Sequence, residues 1–355
     1  MERKDRHQRA VTTAVVVLVL LGIAVAALDW GQVREVLGQA DWRLVPIALV
    51  FTALSYGCLS YSFAITGRIF GVRMGRRDLF EVGFVSYALN HLVASGGTAG
   101  YSLRILLIKR RGLPVRDVLA ASFFHSTLNN LLLFVLVPIG FVYLLINRSL
   151  SGSAAVSVGG VASLLLLLVV LATAVFFAGN FRAAILRMVG TAWRKVTRRD
   201  AEDKLKGFDS TLSRGITAIR DRPALLVSLL ALVVADWAFS VATLGFCFGA
   251  LGSPVGAGVL LTGFSIGVVV GLLSMVPGGL GVQEGSMAAV YALLGVPFEQ
   301  AVVAAILFRT VYYLVPFLAS LGFYRRLMRR KSEPVPVAPF IEEKQPPTRA
   351  TDTRK

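Results

Sequence analysis

Glu284 and Arg309 are charged residues set in stretches that otherwise carry almost no charge. Glu284 lies in the run "VPGGLGVQEG" (276–285), where Pro277, Gly278, Gly279 and Gly281 interrupt apolar sequence on both sides. A break of this kind makes two half-helices with unpaired backbone N–H groups between them. A helix starting near Gln283 or Glu284 would point a partly positive end at the break, and such an end can hold an anion or a phosphate. The glycines permit positive φ and close approach of a ligand. Glu284 can cap that helix. It can also pair with Arg309 from the next apolar run, as a gate, a proton carrier or a contact for a cationic headgroup. Ionisable residues at membrane depth are costly and mark functional sites.

Other positions invite similar readings. "SGGTAG" (95–100), with Gly96 and Gly97, parallels "PGGLGV" (277–282). Arg104 follows the first of these breaks and can meet a phosphate or act as a snorkelling anchor. His125 lies slightly inside the next apolar run, as Arg309 does after the second break. Asp236, in "VVADWAFSV", sits in the middle of an apolar run and suits a proton relay or a structural hydrogen bond. Asn90, His91, Asn129 and Asn130 would form a polar lining or bond between helices. Gly263, Gly267 and Gly271 make two GxxxG steps that permit close helix packing.

Apolar helices are expected to carry these residues. Of 355 residues, 55% are hydrophobic and 16% charged, against about 25% charged in soluble domains. Segments 11–28, 44–66, 117–147, 157–179, 224–250, 257–276 and 301–323 are mostly apolar, and about 20 such residues cross a bilayer. The chain reads as an all-α polytopic membrane protein. The first run is longer than a signal-peptide core, so an uncleaved span is expected. The net charge of +17 gathers in loops and suits anionic headgroups rather than nucleic acid. Cys58 and Cys247 lie in apolar segments, and His7, His91 and His125 are scattered. No disulfide framework, metal site or cofactor is expected, and no P-loop, Rossmann fingerprint or GxSxG is present.

Lysine and arginine counts set the expected topology. Residues 1–10 and 67–78 hold four each and 180–223 hold eleven, whereas 29–43 hold two, 148–156 one and 251–256 none. Both termini are therefore expected in the cytoplasm of a plasma-membrane protein. Residues 79–108 have basic flanks on both sides and are too short for two spans. A re-entrant hairpin turning at "ASGGTAG" is the economical solution, allowed only if protein or water covers the turn. Residues 257–295 pose the mirror problem from the outer side. "GLPVRDVLAA" (112–121) and "GVPFEQAVVA" (295–304) follow the two turns at similar distances and share Gly, Pro and Ala positions. The expected architecture is about six full spans plus two re-entrant helical hairpins in an inverted repeat, a transporter pattern. It forms one transmembrane domain over 1–330, with 181–222 as a cytoplasmic amphipathic segment and 331–355 as a disordered tail.

The segment from Val276 to Phe317 resembles the C-terminal signature of the lysylphosphatidylglycerol synthase transmembrane-region family, flippase-like membrane proteins. Pro277, Gly278, Gly279, Gly281, Glu284, Gly295, Pro297 and Arg309 match its Pro-Gly-Gly-x-Gly-x-x-Glu core, downstream Gly-x-Pro and final Arg. In the family's earlier block Arg104 and Gly112 match. Ser95 stands where a proline is usual, Thr98 or Ala99 where an acid is usual, and His125 near a usual Glu-Arg pair. The resemblance covers about residues 10–325 and implies lipid translocation by a stand-alone form. No soluble synthase domain is expected in the stretch after the last span. The expected cargo is an anionic or aminoacylated phospholipid or a polyprenyl-phosphate-linked lipid. Membrane phospholipids or lipid-linked intermediates, further copies of the chain or pathway enzymes are the expected partners. A non-transporting subunit of a lipid or glycan assembly pathway is the alternative. A membrane-embedded lipid-modifying enzyme is less favoured, because neither a nucleophile nor a metal-binding acid cluster is evident.

Overall fold

The computed structural model describes residues 29–93, 98–147, 202–274 and 276–329, with isolated helical positions between 159 and 191. The expected first span, most of 157–179, Gly96 and Gly97, and the tail 331–355 lie outside the described residues. Among the described residues every regular element is a helix. A short helix α1 (Trp30–Gly38) starts at Asp29, whose carboxylate accepts the Gly31 N–H at 2.8 Å. It leads to α2 (Val45–Ile69), α3 (Arg76–Val93), α4 (Thr98–Lys109) and α5 (Val115–Asn147). After the amphipathic α6 (Glu202–Arg220) come α7 (Pro223–Ala250), α8 (Ala257–Leu273), α9 (Val282–Leu293), α10 (Phe298–Arg309) and α11 (Val315–Arg329). Among the described residues, four stretches are long and apolar enough to cross a membrane: Trp42–Ile69, Val115–Tyr143, Pro223–Ala250 and the continuous Phe298–Arg329.

The starts and stops follow local chemistry. Proline sits in the first turn of α2 and α7, where its missing N–H has no intrahelical acceptor to lose. Past the ends of these helices come Gly71 and Gly252 at φ +84° and +72°, a left-handed conformation that suits glycine. Between α10 and α11 the helix widens into a π-turn, Thr310–Leu314, two residues before Pro316. Pro316 has no N–H for the Tyr312 carbonyl, and the Tyr56 hydroxyl fills that vacancy at 3.1 Å.

Two pairs of helices fold as antiparallel hairpins. In the first, Gly100 of α4 donates its N–H to Asn90 of α3 at 3.3 Å, and Arg111 meets Asp78 at 2.9 Å where the two outer ends come back together. In the second, the Tyr291 hydroxyl of α9 donates to the Leu260 carbonyl of α8 at 2.9 Å. Here the GxxxG steps become a ladder: Gly263, Gly267 and Gly271 face Tyr291, Met287 and Gln283 in turn. At about 1.5 Å per residue the 12-residue α4 and α9 each reach only about 18 Å, short of a hydrocarbon core of about 30 Å.

The two halves of the fold exchange partners. Helices α2 and α7 pack along each other at the centre, with Phe51 stacked on Phe246 at 5.1 Å between ring centroids. The first helix of each hairpin lies against the closing helix of the other half. Thr262 of α8 meets the Gly140 carbonyl of α5 at 3.3 Å, and Phe84 of α3 meets Phe323 of α11 at 5.0 Å. Beside that second contact Glu81, only 1% exposed, is bonded by Arg326. Helix α6 buries Leu212 and Ile219 and sets Gly215 against the Phe70 ring.

The glycine ladder yields a graded expectation. A methyl at position 263 would strike the Tyr291 ring, which the Leu260 carbonyl holds in place, whereas one at 267 strikes Cγ of Met287, an unbranched side chain that can turn about χ1. Gly263→Ala should lower stability by about 1–3 kcal/mol, as overpacking does, and Gly267→Ala by less. Thermal unfolding in detergent checks the order; equal losses would mean the two helices separate freely.

Candidate functional site

The break between α8 and α9 is built by three residues in the left-handed region, Gly278 (φ +69°), Gly279 (φ +60°) and Gly281 (φ +77°). Glu284 stands in the first turn of α9 and accepts the Gly281 N–H at 2.7 Å. Its other carboxylate oxygen accepts from Arg309. Arg309 also donates to the Gly278 carbonyl, so one guanidinium joins both sides of the break. The Tyr313 ring lies 5.1 Å from that guanidinium, and the Tyr313 hydroxyl accepts the Gln283 amide at 2.9 Å. Capping and pairing, which the sequence leaves as alternatives, occur together in Glu284.

The tip of the second hairpin touches the first. A Cβ on Gly278 would stand 2.6 Å from the Leu92 carbonyl of α3. Beside this meeting point is a cavity of about 230 Å³. Asn90, His91, Asn129, Asn130 and Gln283 supply its polar wall, and Tyr87, Tyr101, Trp237 and Tyr313 its aromatic wall. The turn glycines Gly278 and Gly279 form part of the rim. Trp237 donates its indole N–H to Asn129 at 3.0 Å, and His91 Nδ1 is 2.8 Å from the Tyr56 hydroxyl.

Three expected residues stand behind this wall rather than in it. Arg104 is 3% exposed and lies between the rings of Phe63 and Tyr87, at 4.2 and 4.4 Å from their centroids. Such cation–π contacts stabilise a buried guanidinium without an acid; its Nε makes no hydrogen bond among the described residues. His125 is bonded by Tyr87 through Nδ1 and lies 2.5 Å from the Ser62 hydroxyl through Nε2. Asp236 accepts from Ser55 at 2.5 Å within a hydroxyl cluster that includes Ser240 and Tyr312. The arrangement therefore brings Pro277, Gly278, Gly279, Gly281, Glu284 and Arg309 together, joins Arg104 to His125 through Tyr87, and leaves Asp236 in a third group. Sequence reading missed Ser55, Tyr56, Tyr87, Ser240, Tyr312 and Tyr313. Their only signal is a hydroxyl in an apolar run, which is common in helices that merely pack.

A multi-pass helical membrane protein with a polar cavity between its helices is the class these features define. The chain matches the lysylphosphatidylglycerol synthase TM region family over residues 10–320 and belongs to it. It is similar to a UPF0104 membrane protein of Methanothermobacter thermautotrophicus, 22% identical over 87% of this chain and 92% of the relative. A UPF0104 membrane protein of Pyrococcus horikoshii is 20% identical over 88% of this chain and 97% of its own length.

The close contact at Gly278 generates a prediction. Gly278→Ala would combine a left-handed alanine, costing about 1–2 kcal/mol, with a clash against backbone that cannot turn away. Gly279→Ala carries the same strain but meets Gly271 only at 3.3 Å. Gly278→Ala should lose more in thermal unfolding. Equal losses would show that the hairpin tips do not hold each other.

Proposed function

We propose that this protein carries lipids between the two leaflets of the cell membrane, with a headgroup held in the cavity between the hairpin tips. The observation that carries this reading is the meeting of two broken hairpins at a polar and aromatic cavity beside a buried Glu–Arg pair. Drug-sized ligand pockets run to about 300–1,000 Å³. A cavity of about 230 Å³ suits a headgroup or its phosphate, while acyl chains stay in the bilayer. Amide and hydroxyl donors suit the phosphate oxygens of an anionic, aminoacylated or polyprenyl-phosphate-linked lipid. The membership of the family supports a lipid-related role. In this reading 79–108 enters from the cytoplasm and 257–295 from outside, the termini are cytoplasmic, and the halves form an inverted repeat. The Asp78–Arg111 contact, which closes the ends of the first hairpin, favours that topology. Arg309 is the moving part: releasing Glu284 or the Gly278 carbonyl would separate the hairpin tips.

The test is purified protein in liposomes with fluorescent phospholipids in one leaflet. Wild type should move them, and Glu284→Gln and Arg309→Gln should each stop movement in protein that still expresses. A purely structural pair gives a different pattern. Each single change then strands a buried charge at about 3–5 kcal/mol, and a double apolar change restores folding and transport together. Full transport by a well-folded Glu284→Gln protein would remove the site assignment.

Topology is read separately, with cysteines placed at Arg76 and Arg111. Both should be labelled from one membrane face by an impermeant reagent. Labelling from opposite faces ends the re-entrant reading.

A further inference from the structure

We infer that Asp236 and the hydroxyls around it form a proton site that couples lipid movement to a pH gradient; this rests on the lipid-carrier reading. Asp236 is 4% exposed in the middle of α7, and no lysine or arginine among the described residues pairs with it. A carboxylate buried without a cation needs a bound proton or a bound metal ion to offset its desolvation. The oxygens decide between the two. Ser55 lies 2.5 Å from the Asp236 carboxylate and 2.7 Å from the Tyr312 hydroxyl, and Ser240 lies 2.6 Å from that hydroxyl. These oxygens bond one another at hydrogen-bond lengths. Hard cations instead take many oxygens arranged around a central gap, and this cluster leaves none.

Titratable groups close enough to interact with Asp236 are Cys58 and Tyr56 on α2, Tyr87 on α3 and Tyr312 in the π-turn, and His91 and Tyr313 pack against the Tyr312 ring. Tyr56 reaches from the Tyr312 carbonyl to His91, which lines the cavity. That side therefore connects the cluster with the proposed headgroup position.

The physical link to transport is the π-turn. An ionised carboxylate only accepts hydrogen bonds, whereas a protonated one also donates. Gain of a proton lets Asp236 donate to Ser55, and the Ser55 hydroxyl must then turn towards Tyr312 or Ser240. Tyr312 lies on the same turn as Tyr313, which bonds Gln283, and three residues after Arg309, which holds the second break. A change in the Tyr312 bonding thus reaches Arg309 along three residues at the start of the wide turn. π-turns inside α-helices recur at functional sites.

Two measurements test this. Infrared difference spectra of purified protein between mildly acidic and mildly alkaline buffer should show a carboxyl band that appears on acidification and is missing in Asp236→Asn. This readout does not need transport. In liposomes that move lipid, a pH gradient of one unit should support roughly tenfold asymmetry between leaflets at one proton per lipid. Asp236→Asn should carry lipid with no response to the gradient, and Asp236→Glu should recover part of it. Should Asp236→Asn fail to fold, Tyr312→Phe takes its place and should weaken the pH response. Transport that follows a sodium gradient and ignores pH would overturn the proton assignment, as would the absence of any titrating carboxyl band in wild type. Wild type that shows the band but moves no lipid leaves the proton site standing and sinks the carrier reading instead.

Discussion

A helix that breaks among apolar neighbours frees backbone groups that no water can reach, and each must find a partner in protein. The second hairpin meets that demand with one side chain. Arg309 takes the Gly278 carbonyl on one side of the break and Glu284 on the other, while Glu284 turns back to the Gly281 N–H. The arginine thereby compensates a carboxylate, a carbonyl and a helix end at once. The left-handed glycines, the Gln283–Tyr313 bond and the contact between hairpin tips all rest on that bridge.

A second constraint comes from Pro316. Its missing N–H opens the last long helix into a π-turn and exposes the Tyr312 carbonyl to Tyr56. Consecutive tyrosines in this turn serve different groups. Tyr312 points to Ser55 and Ser240, and Tyr313 points to Gln283 and the Arg309 guanidinium. A regular α-helix separates neighbours by about 100° as well, but the wide turn also leaves a carbonyl available for the chain of contacts that ends at His91.

The two halves are alike in layout and unlike in chemistry. Each has a broken hairpin whose longer helix packs on the closing helix of the other half. The second break holds an ion pair, whereas Arg104 near the first is held between aromatic rings and His125 is occupied by Ser62 and Tyr87. At Arg104 the quadrupoles of Phe63 and Tyr87 offset the charge.

Much of this was legible in one dimension. Runs of apolar residues, basic loops and glycine-rich breaks act through local solvation and backbone freedom, so they already specified a helical membrane protein with glycine-rich breaks at "ASGGTAG" and "PGGLGVQE". It also singled out Glu284 and Arg309, because a charge in an apolar run needs a reason wherever the run ends up. Which of these residues meet was settled by packing between distant helices. Ser55, Asp236 and Tyr312 come from three helices far apart in the chain, and their hydroxyls resemble those of any packed span until α2, α7 and the π-turn are brought together. Likewise the ladder of Gly263, Gly267 and Gly271 allowed close packing without naming Tyr291, Met287 and Gln283 as what fills it. Helix faces are selected by packing over the whole molecule, and that selection cannot be read from the order of residues along one strand of chain.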